Sequence, residues 1–443
     1  MKNQLLNKSE VLVVHCVDAE GPLNETVCAT FERLKYIFGI DLAETEENYE
    51  LLRNGQIEGP NEEITSQLRL TFSGGVLDYN RNWEEVQEMN SRIFSDQLRE
   101  SFSDDFGNLW KITWFCLDHV NYKSNPRQKP EGFSVVFNYY RNLISKHERF
   151  GDELQWHFHP KSITKNPIAA ATSYVNSMDE ILEILCRKVI EDEWFPTVYR
   201  PGFHSERQDA NLFLEQWFPF DFGNQRFDDE INQKDMQFGR FGNWTRAPKT
   251  WRGYNPSSKH LDLEGGLNRR IFRCLNLGTR LRLLSSEHIR EAFEEAHLEG
   301  LAVIAFTDHD FRDIEPDISK INAMLADTKI DFPDVKVRFC TAEEAAQRIT
   351  DSLNYEFKLS AVLNGEILEV KEHVGEVFGS QPFLAIKTKS GDFLHDNFDY
   401  VSSEETWFYT FDEQTIHLSD IAELKVASAG LHGGYSVIDV LKT

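Results

Sequence analysis

The sequence predicts an α/β protein built on a parallel sheet, open or closed into a barrel, followed by a small all-β tail. Short apolar runs alternate with polar segments of helical period, and polar residues collect where the apolar runs end. From about residue 355 the helical segments stop. Alternating strands and helices are typical of parallel sheets with crossover helices. Polar residues at the carboxyl ends of such strands usually mark a ligand site.

The chain is too long for one ordinary domain, since it has 443 residues and domains commonly run to roughly 150. We expect one α/β unit over residues 1–354 and a small antiparallel β domain over residues 355–443. Residues 24–109 form a long charged insertion after the first predicted strand, with patches of helical period. The strands predicted for the first unit are 11–17, 111–117, 153–159, 197–201, 218–223, 301–307 and 335–340.

The helices of the first unit are predicted from helical period and from end signals. A helix is expected after Ser177, a residue that can cap its amino end, and another over residues 285–300, which begins with serines and a glutamate. A third is expected to begin at Thr341. Beyond residue 355 the apolar runs are short and separated by Gly, Asn and Ser, which is typical of strands and turns. Residues 415–420 are among these predicted strands.

Composition narrows the classes of partner. Lysine and arginine total 47 against 73 acidic residues, a net charge of −26, which disfavours nucleic acid and anionic membranes. The 6 cysteines lack any Cys-x-x-Cys pair, as expected of buried thiols in a reducing compartment. No stretch approaches the roughly 20 apolar residues of a membrane span, and the amino terminus lacks the pattern of an export signal. We therefore expect a cytoplasmic protein with no nucleic-acid or membrane partner, and these features leave the oligomeric state open.

Polar residues stand at the ends of several predicted strands. Asp18 and Glu20 end the first strand, and His157 and His159 end the third. Because residues i and i+2 of a strand point to the same face, each pair converges on one point in space. Converging imidazoles and carboxylates are suited to a divalent metal such as Zn²⁺. The other polar residues at strand ends are Arg200, Asp221, Asp308, His309 and Asp310.

Each of these residues also has a structural interpretation. Paired histidines can be hydrogen-bonded core residues, a strand-end acid is often the N-cap of the next helix, and Arg200 can be a structural ion-pair partner. Taken together, however, one carboxylate and two imidazoles leave an open position on a metal, as catalytic zinc sites require. A second carboxylate can then accept a proton, and a histidine can donate one to the leaving group. Arg200 can keep Asp18 ionised by Coulomb attraction.

The order of the motifs resembles that of the NodB-like polysaccharide deacetylase superfamily. An acid pair, a histidine pair, an Arg-Pro-Gly stretch and a late histidine follow one another over roughly residues 10–350. The resemblance implies a distorted (β/α) barrel whose members hydrolyse amide or ester bonds at a metal. It also implies that Asp18 is the general base, that Arg200 orients this base, and that His309 protonates the leaving group.

Two details differ from the common pattern of that superfamily. Family members usually place the second metal histidine four residues after the first, but that position is Lys161 here, so His159 must take its role. The first motif reads Asp-x-Glu, where many relatives have adjacent aspartates. The implied metal ligands are therefore Glu20, His157 and His159, and the implied catalytic residues are Asp18, Arg200 and His309.

These features predict a hydrolase acting on carbon–nitrogen bonds other than peptide bonds. The expected reaction removes an acyl group from an N-acylated or O-acylated sugar, or a related small amide, with a divalent metal, most suitably Zn²⁺. Amidohydrolases are disfavoured because their His-x-His motif lies on the first strand, and a metal-free glycosidase leaves the paired histidines without a function. The alternative from another class is a non-catalytic barrel that binds a glycan or a sugar. Residues expected either to pack in the core or to stack on sugar rings are Trp156, Phe203, Trp244 and Trp251.

Overall fold

The computed structural model of the protein describes residues 9–119, 133–164, 169–228, 242–400 and 405–442. Its larger part alternates strands with helices. The strands of this part are β1 (Glu10–Ala19), β2 (Ile112–His119), β3 (Glu153–His159), β4 (Val198–Pro201), β5 (Phe220–Asn224), β6 (Arg270–Asn276), β7 (Leu301–His309) and β8 (Lys336–Cys340). The helices are α1 (Val27–Phe38), α2 (Glu46–Arg53), α3 (Glu62–Phe72), α4 (Gly74–Leu77), α5 (Trp83–Ile93), α6 (Asp96–Ser101), α7 (Phe133–Lys146), α8 (Met178–Asp192), α9 (Gln208–Trp217), α10 (Ser286–Glu299), α11 (Glu315–Asp331) and α12 (Ala342–Ile349).

In the part of the chain that the structure describes, the seven parallel strands β1 to β7 close into a barrel, because β7 and β2 both pair with β1. One edge of β1 is shared between two partners. Its amino-terminal part pairs with β8, where Val14 lies beside Cys340, and its carboxyl-terminal part pairs with β2, where His15 lies beside Ile112. The barrel is therefore distorted at the junction of β1 and β2.

Alternation along the strands separates the inside of the barrel from the outside. On β1, Leu12, Val14 and Cys16 belong to the interior apolar cluster, whereas Val13 and Val17 belong to the cluster that packs against the surrounding helices. The same alternation on the other strands fixes which polar side chains face inward. The other interior side chains are Phe115, Val198, Phe220, Phe222, Phe272, Cys274, Val303, Ala305 and Cys340, together with Ala342, Ala345 and Ala346 of α12.

Helix α12 lies across the amino end of the barrel. Ala342 N donates a hydrogen bond to Thr113 Oγ1 at 2.8 Å, near the start of β2. Glu343 Oε2 accepts one from Thr197 Oγ1 at 2.5 Å, directly before β4. The alanines of α12 thus cover the interior cluster from below, and the carboxyl ends of the strands form the opposite end of the barrel.

The helices α1 to α6 lie between β1 and β2, within the segment predicted as a charged insertion. Helices α1 to α4 pack on one another around a separate apolar cluster, whereas α5 packs on the outside of the barrel. Within the described ranges, no helix has both the length and the apolar character needed to cross a bilayer. Most of these helices begin at a residue whose side chain accepts a first-turn amide: Thr26, Thr45, Asn61, Asn82 and Ser95.

The tail forms two antiparallel sheets. Its strands are β9 (Lys358–Asn364), β10 (Ile367–Val374), β11 (Phe383–Thr388), β12 (Phe393–Asp396), β13 (Thr406–Thr410), β14 (Ile421–Ala429) and β15 (Tyr435–Lys442). One sheet has the order β13-β10-β9 and the other β12-β11-β14-β15. The second sheet packs on α8, where Cys186 Sγ lies 3.2 Å from Leu394 O and Phe383 joins the same apolar cluster. The division into two domains at residue 354 stays a prediction.

The structure differs from the predicted elements in three places. Strand β6 is present in the structure but was not predicted from the sequence, because Arg270 and Arg273 interrupt its apolar pattern. The segment 415–420, predicted as a strand, contains a 3₁₀ turn over Leu418–Asp420. Ser177 directly precedes α8, but its hydroxyl accepts from Lys161 N at 2.7 Å instead of capping the helix.

Candidate metal centre

Strand alternation brings four predicted site residues to the carboxyl end of the barrel interior. Asp18 continues the inward series of β1, and Glu20 directly follows this strand. On β3, the tryptophan and phenylalanine next to His157 pack outside the barrel, so His157 and His159 point inward. All four side chains belong to residues that are at most 6% exposed.

Three of these residues, Glu20, His157 and His159, form a group that could hold a metal ion. His157 Nε2 lies 2.9 Å from His159 Nε2, and Glu20 Oε1 lies 3.7 Å and 3.5 Å from these two nitrogens. Ligand atoms about 2.0 to 2.1 Å from a tetrahedral ion are roughly 3.3 Å apart, so this spacing fits one ion bound by all three. A fourth position would stay open for water or substrate, as in catalytic zinc sites.

The second ring nitrogen of His157 supports the same interpretation. His157 Nδ1 lies 3.1 Å from Arg200 O. A carbonyl oxygen only accepts hydrogen bonds, so Nδ1 carries the proton and the Nε2 of a neutral ring presents a lone pair toward His159 and Glu20. Metal-binding histidines commonly make such a second bond, which fixes the ring orientation.

Asp18 and Arg200 form a buried ion pair beside this group. Arg200 Nε donates to Asp18 Oδ1 at 2.6 Å, and Arg200 Nη2 donates to Oδ2 at 3.0 Å. Burial raises the pKa of Asp18, but the attraction of Arg200 and its hydrogen bonds lower it, and the pKa lies below its usual value. Arg200 Nη1 also donates to Phe222 O at 2.7 Å. The ion pair therefore keeps Asp18 ionised and fixes its orientation.

His309 ends β7 and lies beside Asp18 in the strand register. Its Nε2 is 3.8 Å from Asp18 Oδ2 and 4.0 Å from Glu20 Oε1. A protonated imidazole at these distances is attracted by both carboxylates. The ring also packs against Phe311, with centroids 4.6 Å apart. His309 is thus positioned to reach a group bound next to Glu20.

A buried carboxylate holds the loop that carries Glu20. Asp310 Oδ1 accepts from Glu20 N at 2.7 Å, and Oδ2 accepts from Gly21 N at 2.9 Å and from the Tyr140 hydroxyl at 2.8 Å. Asn80, from the helical insertion, donates to Asp310 O at 2.8 Å. Burial raises the pKa of Asp310 to about 7, although these amide and hydroxyl donors lower it. Asp310 is therefore a positioning residue for Glu20.

Asp221 and Asp308, two strand-end candidates from the sequence, face away from the barrel interior. The phenylalanines on either side of Asp221 lie in the interior cluster, so Asp221 points outward, where it accepts from Arg269 Nη1 at 2.5 Å. Asp308 Oδ2 lies 3.0 Å from His15 Nε2 on the outer side of β1. Neither carboxylate belongs to the metal-binding group.

The aromatic candidates divide in the same way. Trp156, Trp244 and Trp251 are at most 2% exposed and are core residues. Phe203 is partly exposed, and its ring packs on His159 with centroids 4.5 Å apart.

Three residues near the site were not predicted from the sequence. One of them, His204, could have been found from its position directly after the Arg-Pro-Gly stretch and Phe203. The two others, Tyr140 and Asn80, stand in segments without a motif.

Comparison with protein-family models and with curated proteins gives no match for this chain. The fold and the site together define a closed parallel β-barrel with a buried Glu-His-His group that could hold a metal ion. The carboxyl end of parallel strands is the usual position of a ligand site in barrels of this class.

Proposed function

We propose that this protein is a metal-dependent hydrolase of the NodB-like polysaccharide deacetylase type. It would remove an acyl group from an N-acylated or O-acylated sugar, or from a related small amide. The main support is the convergence of Glu20, His157 and His159 beside the ion pair of Asp18 and Arg200. The order of these motifs along the chain gives additional support.

The three ligand residues fit a divalent ion of the zinc type. Two imidazoles and one carboxylate are the donor set of many catalytic zinc sites, and here all three donors are buried. When bound, such an ion polarises the scissile carbonyl and acidifies the attacking water. Glu20, His157 and His159 would hold the ion, and the bond from His157 Nδ1 to Arg200 O would keep the first imidazole in place.

Asp18 is the proposed general base. The lowered pKa keeps it a carboxylate at neutral pH, so it can accept a proton from the attacking water. The same ion pair makes Asp18 a weak base, and its action therefore depends on a water that is already acidified. Arg200 binds both carboxylate oxygens and so orients the base.

His309 is the proposed general acid. Its Nε2 lies within 4.0 Å of both Asp18 and Glu20, and this proximity to a metal-binding residue supports the role. It would donate a proton to the departing nitrogen or oxygen. An amine leaving group depends on this proton more than an acidic phenol does, because a phenol can leave as its anion.

The test uses wild type, Asp18→Asn and His309→Ala, each stripped of metal with a chelator and reloaded with Zn²⁺. The substrates are N-acetylglucosamine, its β-1,4-linked oligomers and the activated ester 4-nitrophenyl acetate. We expect turnover by Asp18→Asn to fall by about 10² to 10⁴ on all of them, with unchanged zinc content. His309→Ala should lose more activity on the amides than on the ester.

Asp308→Asn is the matched control, because Asp308 precedes His309 but faces His15 outside the barrel interior. It should keep wild-type turnover. Zinc-loaded wild type without turnover on any substrate would contradict the proposal and favour a barrel that binds a glycan without hydrolysis. Turnover indifferent to both substitutions would contradict the roles given to Asp18 and His309.

A further inference from the structure

The turn after β4 holds two consecutive residues in a strained backbone conformation. Phe203 has φ 55° and ψ 19°, and His204 has φ 52°. Residues other than glycine, asparagine and aspartate rarely adopt this left-handed region, because the Cβ atom is crowded there. Strain of this kind persists only where the surrounding structure enforces it, and it is frequent at ligand sites.

Close contacts enforce this turn from both sides. A Cβ atom at Gly202 would lie 2.4 Å from His159 Cδ2, so only glycine lets the turn pass the metal-binding ring. His204 O accepts from Trp244 Nε1 at 3.3 Å, and a Cβ atom at Gly242 would lie 2.5 Å from this oxygen. The turn is therefore fixed directly beside the candidate metal centre.

The ring of His204 has a defined tautomer. Its Nδ1 lies 3.4 Å from Arg200 Nη2. Because a guanidinium only donates, Nδ1 must accept, and the proton of a neutral ring then sits on Nε2. Burial and the charge of Arg200 lower the pKa of His204 well below its usual value, which keeps the ring neutral. Within the described residues, no donor or acceptor contacts His204 Nε2.

His204 and Phe203 stand on two sides of the same site. The His204 ring lies 6.3 Å from the ring of His309, centroid to centroid, at an angle of 76°. Phe203 lies against His159 and stays partly exposed. A neutral N–H donor next to an accessible aromatic ring matches a sugar, which offers hydroxyl oxygens at its rim and an apolar C–H face.

We propose that His204 is a specificity residue whose Nε2–H donates a hydrogen bond to a hydroxyl oxygen of a sugar substrate, with the sugar ring against Phe203. This inference rests on the proposed hydrolase function and names its substrate class. His204 touches the substrate away from the scissile bond, so it acts on sugar recognition and leaves the chemical step to Asp18 and His309.

Two substitutions of His204 test whether sugar binding needs the Nε2–H donor. In His204→Asn, the short amide can replace Nδ1 opposite Arg200 but cannot reach the position of Nε2, and asparagine tolerates positive φ. In His204→Gln, the longer amide can place an N–H near the position of Nε2. Zinc content and thermal unfolding of both zinc-loaded proteins show that the site and the fold are kept.

The readout is the ratio of kcat/KM for N-acetylglucosamine and its β-1,4-linked oligomers to kcat/KM for 4-nitrophenyl acetate, which has no sugar hydroxyls. We expect His204→Asn to lower this ratio about tenfold through KM for the sugars, and His204→Gln to recover most of it. An unchanged ratio in His204→Asn, or a wild type that hydrolyses only the ester, would overturn the role of His204. A zinc-loaded wild type inactive on every substrate would instead overturn the proposed function itself.

Discussion

Strand β3 carries a polar cluster at each end of its inward face, and the two clusters differ in chemistry. Glu153 and Gln155 lie at the amino end, and His157 and His159 lie at the carboxyl end. All four point inward because they alternate with residues that pack against the outer helices. The two ends therefore share strand, face and polarity, and they differ in side-chain type and in their partners.

At the amino end, the amide and hydroxyl groups meet partners of the complementary kind, and the carboxyls of Glu153 and Glu343 lie close enough to repel one another. Gln155 Oε1 accepts from Val198 N at 2.9 Å, and its Nε2 donates to Thr197 Oγ1 at 2.9 Å. Glu153 Oε2 accepts from Glu343 N at 3.3 Å. Among the described residues, no buried polar side-chain atom of this cluster lacks a hydrogen bond. This cluster ties β3 to β4 and α12, and its role is structural.

At the carboxyl end, atoms that can accept converge on one another. His157 Nε2, His159 Nε2 and Glu20 Oε1 all lie within 3.7 Å of each other. Buried acceptors in this arrangement are stable when a proton or a cation lies between them. Burial and polarity alone thus do not distinguish a structural cluster from a ligand site, whereas the pairing of donors with acceptors does.

The largest expected effect separates the two ends directly. His157→Ala should abolish stoichiometric Zn²⁺ binding, because it removes one of three donor atoms. Gln155→Ala, two positions earlier on the same face, should keep the zinc but destabilise the fold by roughly 1–3 kcal/mol, since it leaves buried groups such as Val198 N without partners. Elemental analysis measures the first effect, and denaturant unfolding measures the second.

Two outcomes would break this comparison. Wild-type zinc content in both His157→Ala and His159→Ala would show that the carboxyl-end cluster does not bind the ion. Loss of zinc from a folded Gln155→Ala would show that the two ends are not independent.

The next effect concerns the buried ion pair at the carboxyl end. Arg200→Met should lower the free energy of unfolding at pH 7 by about 3–5 kcal/mol, because it leaves the Asp18 carboxylate buried without its partner. The pKa of Asp18 would then lie above its unfolded value, so the deficit should shrink as the pH falls and Asp18 takes up a proton.

Arg200→Lys is the control for this prediction. It keeps the charge but loses the two-point contact with Asp18, so its destabilisation should be smaller. Urea unfolding at pH 5 and pH 7 measures both variants. Equal stability of Arg200→Met and wild type at pH 7 would contradict the structural importance of the pair.

Most of the site prediction came from the alternation of side chains along the strands, in which every second residue points to the same face. It correctly grouped Asp18 with Glu20 and His157 with His159, because these pairs need only local geometry. The position at a strand end was a weaker signal. It also selected Asp221 and Asp308, which face outward, and only the apolar residues beside them reveal this orientation.

Other features depend on contacts that no local pattern encodes. Asp310 holds the Glu20 amide across 290 positions of sequence, and Tyr140 reaches Asp310 across 170. The closure of the barrel is equally non-local, since β1 must pair with β7 on one side and with both β2 and β8 on the other. The alternation of strands and helices predicts the class of fold, and tertiary packing decides whether the sheet closes.

A smaller effect is expected at the amino end, where stability should depend on pH. Burial and repulsion from Glu343 raise the pKa of Glu153 from 4.5 to about 7. The folded protein therefore holds a proton that the unfolded chain releases between these values. This contribution to stability is complete below pH 4.5 and is lost as the pH rises through about 7.

Glu153→Gln should therefore reduce the fall in the free energy of unfolding between pH 5 and pH 8. Denaturant unfolding at several pH values measures this slope, with Glu294→Gln on the exposed side of α10 as the control. The same slope in Glu153→Gln and wild type would show that Glu153 does not hold the proton.

The smallest effect concerns the support of Glu20 at the carboxyl end. Tyr140→Phe removes the hydroxyl that donates to Asp310 Oδ2 at 2.8 Å, while the amides of Glu20 and Gly21 stay bound to the same carboxylate. Loss of an outer contact of a metal site commonly lowers affinity by about 10- to 100-fold, and we expect the lower end because the amide bonds remain. Competition with a chelator of known zinc affinity measures the change. Tyr139→Phe is the control, since the Tyr139 hydroxyl accepts from Asn90, whereas Asp310 accepts from the hydroxyl of Tyr140. Equal zinc affinity in the two variants would mean that the hydroxyl of Tyr140 does not support Glu20.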